Sequence, residues 1–192
     1  MSTLGEVEDA IMIIRSTSDA QLALLHCVSQ YPCNIDQVNL KAIKTMELAF
    51  GLHTGYSDHT VGSDAVLAAV SLGARIIEKH FTLDKKMEGP DHKVSMEPSE
   101  LKAMVRSIRN IEKSMGDGIK RPAPCEVRNR DLLRRSLVFT KKLGKGAKIS
   151  SRDITIKRPG FGLEPKYKDI IVNKTLKKSV TEDELVTWET FL

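Results

Sequence analysis

No apolar run in the 192-residue sequence reaches the length that crosses a bilayer. The N-terminus lacks the basic, apolar and small-residue succession of a secretory leader, so no membrane partner is expected and a cytoplasmic location is the default. Aromatic residues are scarce, at 5%. The basic pairs Arg134-Arg135, Lys141-Lys142 and Lys177-Lys178 are short and have no aromatics interleaved. The footprint of a nucleic-acid binder is therefore missing. The modest net charge of +5 suits an anionic small-molecule substrate equally well. Cysteine is sparse and odd in number, and Cys27, Cys33 and Cys125 without a leader point to reduced thiols. Cys27 and Cys33 lie near His26, but no second ligand pair stands at finger-like spacing, which argues against structural zinc. Internal repeats and low-complexity tracts are absent.

What is present alternates. Thr3 and Glu6 have the T-x-x-E form of a helix capping box, and Val7, Ala10, Ile11 and Ile14 follow at helical spacing. A short apolar run, Leu22 to His26, leads through a polar loop with Pro32 to a predicted helix from Gln37 to Phe50, with Gly51 at its C-terminal cap. A second run ends at Tyr56, a helix follows over Ser63 to Leu72, and a third run covers Ala74 to Phe81. Ser99 is then placed to cap a helix carrying Leu101, Met104, Val105, Ile108 and Ile111 on one face. This order predicts βαβ units and a parallel sheet, hence an α/β fold. Residues 116–134, with Gly116, Gly118, Pro122 and Pro124, read as a linker. Beyond it, predicted strands at Ser136–Phe139, Ile154–Lys157 and Val186–Trp188 lie among glycines and prolines, which suggests a compact β-rich module over 135–192.

In parallel α/β architectures functional side chains gather where strands end. The three runs end in Cys27-Val28-Ser29-Gln30-Tyr31-Pro32, Gly55-Tyr56-Ser57-Asp58-His59-Thr60 and Glu78-Lys79-His80-Phe81-Thr82. Glu78 and His80, two apart, are expected on one face of their strand, with Ile76 sharing it. His59 and His80 occupy equivalent points of successive strands. From spacing alone they are either two structural histidines or a pair that holds one divalent ion as a Lewis acid. His26, His53 and His92 have no comparable partner.

The stretches LLHCVSQYP, GYSDHT, EKHFTLDKKMEGPDHKVSMEP and IKRPGFG, in this order, resemble the N-acetylneuraminate (sialic acid) synthase family, whose relatives make legionaminic and pseudaminic acids. The resemblance runs over essentially the whole chain. It implies the C-terminal part of a (β/α)8 TIM-type barrel over 1–115, followed by an antifreeze-like (SAF, β-clip) domain. It also implies a transferase that condenses phosphoenolpyruvate with an N-acetylated hexose such as N-acetylmannosamine. The implied cofactor is a divalent metal, Mn2+ first, with Mg2+ or Co2+ as substitutes. By the same resemblance His59 and His80 are the metal ligands, and Ser57 and Ser29 contact phosphoenolpyruvate. Tyr31 and Asp91 contact the sugar, and Glu78 is the acid/base candidate. Arg158 is the arginine that reaches the N-acetyl group in a neighbouring subunit's site, which implies a homodimer. Against these roles, Ser29 and Ser57 also read as turn residues, Tyr31 as packing, and Arg158 as plain surface. The barrel needs eight strands and three are legible here. The expectation is therefore a truncated copy, inactive alone, with a non-catalytic binding or capping module as the alternative.

Overall fold

The computed structural model describes residues 1–191, except the side chain of Arg128. The chain divides into two compact units, Met1–Ile119 and Lys120–Leu192, whose last residue lies outside the described part.

The first unit opens with helix α1, Leu4–Thr17. Thr3 caps it as expected: its hydroxyl accepts the Glu6 N–H, and the Glu6 carboxylate accepts the Thr3 N–H at 2.7 Å. Of its apolar face only Ile11 is buried, while Met12, Ile13 and Ile14 are exposed. Strands β1 (Ala23–Cys27), β2 (His53–Asp58) and β3 (Ile76–Lys79) form a parallel sheet in the order β1-β2-β3. Helix α2 (Lys41–Phe50) joins the first pair and α3 (Asp64–Ser71) the second. Gln37, expected as the start of α2, instead closes a separate 3-10 turn, Ile35–Gln37, and α2 begins at Lys41. Gly51 ends α2 in the left-handed region at φ 63°, where a side chain would be strained.

The register puts Cys27, Ser57 and Glu78 in one row across the sheet, with Gly55 beside Ile76. Strand alternation sends that row to one face. The other face carries Tyr56 and Ile77 into a core with Cys33, Val38, Ile43, Ala65, Ala69 and Ala74. Burial pushes the Cys33 thiol pKa up. Helix α4, Pro98–Met115, covers a second cluster of Val66, Met96 and Met104. Its cap is Glu97 rather than Ser99. Pro98 occupies the first helical turn, and the Glu100 carboxylate accepts the Glu97 N–H at 2.9 Å.

In the second unit, the stretch expected as a linker contains helix α5, Pro124–Leu133, again opened by a proline. Strands β4 (Ser136–Phe139) and β5 (Ile154–Lys157) form where they were expected and pair antiparallel. The expected strand at 186–188 does not form. Leu185 makes a single bridge to Val138, and Trp188–Thr190 is a 3-10 turn. A short helix α6, Lys168–Ile171, completes the unit. Its core joins Leu137, Phe139, Ile149, Ile154, Leu163, Ile171, Leu176, Val180, Val186 and Phe191. No helix among the described residues is long and apolar enough to cross a membrane.

Candidate functional site

The three strand ends of the first unit deliver their polar residues to one place. His59 follows β2 directly and His80 follows β3, which is shorter than expected, so His80 lies just beyond the strand that carries Glu78. The two imidazole rings stand edge to face with centroids 5.2 Å apart. Tyr31, from the loop after β1, packs 4.1 Å from the His80 ring and 5.2 Å from the His59 ring.

Hydrogen bonds fix the protonation pattern. His59 Nδ1 lies 2.8 Å from the Val28 carbonyl, which can only accept, so Nδ1 carries the proton. Its Nε2 is left with a lone pair, the state that a metal ligand requires. Cys27 Sγ lies 3.8 Å from Nδ1 and 3.9 Å from Nε2 of the same ring. The Ser95 hydroxyl donates to the Asp91 carbonyl at 2.7 Å, so the Tyr31 hydroxyl is the donor in its 3.2 Å contact with Ser95 Oγ. Burial, foremost, raises the Tyr31 pKa and keeps its phenol protonated at neutral pH. Asp91 Oδ2 stands 3.7 Å from His80 Nδ1, beyond hydrogen-bond distance.

Glu78 and Ser57 form a second group on the same face. Ser57 Oγ donates to Glu78 Oε1 at 2.6 Å. Ser57 is buried, whereas Glu78 and its face-mate Ile76 are exposed. Gly55 lets β2 and β3 approach closely here, since a Cβ on it would stand 2.3 Å from the Ile76 carbonyl oxygen. Ser29 lies exposed in the loop after β1.

Two residues that motif reading passed over lie directly behind the histidines. Lys79 Nζ donates to Asp58 Oδ2 at 2.6 Å and to the Thr60 carbonyl. The Thr60 N–H donates to Asp58 Oδ1 at 2.8 Å. Ser95, which orients the Tyr31 hydroxyl, was also passed over, because nothing in its spacing marks it. Each histidine is preceded in the sequence by a charge, and the two charges are opposite, but only the fold shows that they meet.

Arg158 belongs to the second unit and is described within it. Its Nε donates to the Leu133 carbonyl at the end of α5, at 2.9 Å. The Gly160 N–H donates to the Asp131 carbonyl at 2.6 Å, which ties the Arg158-Pro159-Gly160 turn to the same helix. The terminal Nη groups of Arg158 remain for another acceptor.

Two histidines with one assigned lone pair fit a divalent ion whose remaining positions are filled by water and substrate. Among the described residues, no cluster of three or more His, Cys, Asp or Glu side chains is set to enclose an ion.

Residues 1–120 match the NeuB family and residues 134–192 the SAF domain. N,N'-diacetyllegionaminic acid synthase of Campylobacter jejuni is 46% identical over 97% of the chain and 56% of its own length. Pseudaminic acid synthase of the same organism is 39% identical over 94% and 52%. The crystal structure of the N-acetylneuraminic acid (sialic acid) synthetase of Leptospira borgpetersenii, in complex with citrate, superposes with a TM-score of 0.61 at 38% identity. That superposition covers 69% of this chain and 47% of that one. The chain thus spans about half the length of the curated relatives it matches. On these matches the chain belongs to the NeuB family over residues 1–120 and carries a SAF domain over residues 134–192.

Proposed function

We propose that the chain carries the metal-and-sugar side of a nonulosonic acid synthase site. The reaction joins phosphoenolpyruvate to an N-acetylated hexose and releases phosphate. In this reading Met1–Ile119 supplies the last βα units of a (β/α)8 barrel. The observation that carries the reading is the convergence of His59, His80 and Tyr31 at the ends of adjacent parallel strands, with the His59 lone pair on Nε2. Relatives that bear synthase names support it.

A divalent ion of the Mn2+ type, held by His59 and His80, would supply a Lewis acid that polarises the sugar aldehyde. The chain's own residues account for the rest of this half of the chemistry. Carbon 3 of phosphoenolpyruvate attacks the aldehyde, and carbon 2 becomes positive. Water adds there, and phosphate leaves from the tetrahedral product of that addition. Glu78 is exposed on the inner face of the sheet, where a carboxylate stabilises developing positive charge or takes a proton from the water. Ser57 holds Glu78 in place and offers a hydroxyl to the phosphoenolpyruvate side, and Ser29 adds a second hydroxyl from the neighbouring loop. Tyr31 and Asp91 flank His80, in reach of a sugar that approaches the metal. Arg158 donates its Nη fork to the N-acetyl carbonyl in the site of a second copy.

The experiment is a Mn2+ titration followed by the electron paramagnetic resonance of the free ion. The native chain, His59→Ala and His80→Ala are compared. Each substitution is expected to weaken binding at least about tenfold. Equal affinity in all three proteins would remove the metal assignment.

A further inference from the structure

The Asp58–Lys79 ion pair is sealed from water, with side chains 0% and 4% exposed. Such pairs cost desolvation and are seldom better for stability than apolar residues of the same volume. Their use lies in fixing one geometry, and here the geometry concerns the two histidines. Asp58 immediately precedes His59, and Lys79 immediately precedes His80. The ammonium group also donates to the Thr60 carbonyl, and Asp58 accepts the Thr60 N–H. The peptide on both sides of His59 is thereby tied to β3, the strand that delivers His80. On the far side, the His59 carbonyl accepts the Cys33 N–H at 2.8 Å, and the His80 carbonyl accepts the Met96 N–H at 2.9 Å. The strands that carry the two histidines are joined by their parallel ladder and by Ser57–Glu78, and the Asp58–Lys79–Thr60 bridge adds a tie at the residues that flank the histidines themselves.

We propose that Asp58 and Lys79 are positioning residues, a buried clamp that sets the separation of the His59 and His80 rings and holds His59 as its Nδ1–H tautomer. The clamp acts on the histidines from behind the sheet and touches neither substrate nor metal. It rests on the reading of His59 and His80 as a metal pair for its functional meaning, though not for its geometry.

The test uses the 192-residue chain with the paired substitution Asp58→Asn/Lys79→Met. This removes both charges at nearly constant volume and leaves no lone buried charge. Circular dichroism and thermal melting establish that the variant folds. Two readouts follow: Mn2+ affinity, and the long-range proton–nitrogen spectrum of the metal-free imidazoles. The clamp predicts native-like folding, an affinity loss of about 10- to 100-fold, and a mixture of tautomers at His59. A purely structural pair would lower the melting temperature and leave both readouts of the folded protein unchanged, which overturns the proposal. If the native chain binds no Mn2+, or binds it equally well after His80→Ala, the metal reading fails and the imidazole spectrum alone decides the clamp. If the paired variant does not fold, Asp58→Glu takes its place, since it keeps both charges but lengthens the tether by one methylene. A drop in affinity of about threefold or more with an altered His59 spectrum then supports the clamp, and native values in both refute it.

Discussion

Tyr31 shows how one side chain holds a site by two means, its ring against His80 and its hydroxyl through Ser95 to the Asp91 carbonyl. Tyr31→Phe keeps the ring and loses one neutral hydrogen bond, a cost of about 1 kcal/mol. Tyr31→Ala also removes the packing, at about 2 kcal/mol or more. Urea unfolding of both variants separates the two contributions, and Tyr31→Ala alone should also weaken Mn2+ binding. Glu78→Gln is a test of charge, because its amide oxygen still accepts the Ser57 proton. In an active complete enzyme it should fold normally and lose about 10²- to 10⁴-fold in turnover, the range for a lost acid or base. The gathering of the histidines, Tyr31, Ser57 and Glu78 at strand ends was legible from the order of apolar runs, whereas their roles were implied only by the family resemblance. The pairing of Asp58 with Lys79 was not legible. A charge in a short strand ordinarily reads as solvent-facing, and only the packed structure reveals that the two meet.

At the scale of elements, strand and helix order followed from hydrophobic period, but two signals misled. Residues 116–134 look like a linker because Gly116, Gly118, Pro122 and Pro124 cluster there. Yet Pro124 starts α5, and the Glu126 carboxylate accepts the Ala123 N–H at 2.7 Å to close its first turn. The run at 186–188 has strand composition, but the one bridge beside it is made by Leu185 to Val138, and Trp188 already begins a 3-10 turn. Gly55 couples elements directly. In Gly55→Ala the new methyl meets the Ile76 carbonyl, so β2 and β3 must separate, and a melting temperature lowered by several degrees is expected, equivalent to about 1–3 kcal/mol. In the second unit, Asp153 holds the turn before β5. Its pKa is depressed to about 2, first by Lys141 and then by the Ser150 hydroxyl and N–H. A depressed carboxylate stabilises the fold above its unfolded pKa near 4 and ceases to do so as pH falls toward 2. Lys141 is 61% exposed, so water screens its half of the pair and the contribution is about 1 kcal/mol. Denaturation of the native chain should therefore become easier between pH 4 and 2, and Asp153→Asn should remove that part of the slope.

Over the whole molecule, charge is divided unequally. Met1–Ile119 holds 12 Lys and Arg against 16 Asp and Glu, whereas Lys120–Leu192 holds 18 against 9. Opposite signs of this kind are electrostatically complementary, and the proposal that Arg158 acts in the site of a second copy has a direct test. Mixing Arg158→Ala subunits with His80→Ala subunits, in a complete enzyme carrying these residues, should restore about half of native activity per mixed dimer if the defects lie in different sites. Mixed dimers that remain inactive would place Arg158 in its own subunit's site. The central claim, that this chain bears half of a nonulosonic acid synthase site, meets its most direct test in a chimera. The corresponding C-terminal part of the Campylobacter jejuni N,N'-diacetyllegionaminic acid synthase is replaced by residues 1–192, and phosphate release from phosphoenolpyruvate is measured with Mn2+ and an N-acetylated hexose. The account predicts sugar-dependent turnover that disappears with His80→Ala. A folded, Mn2+-binding chimera that releases no phosphate, under conditions where the parent enzyme does, would contradict it.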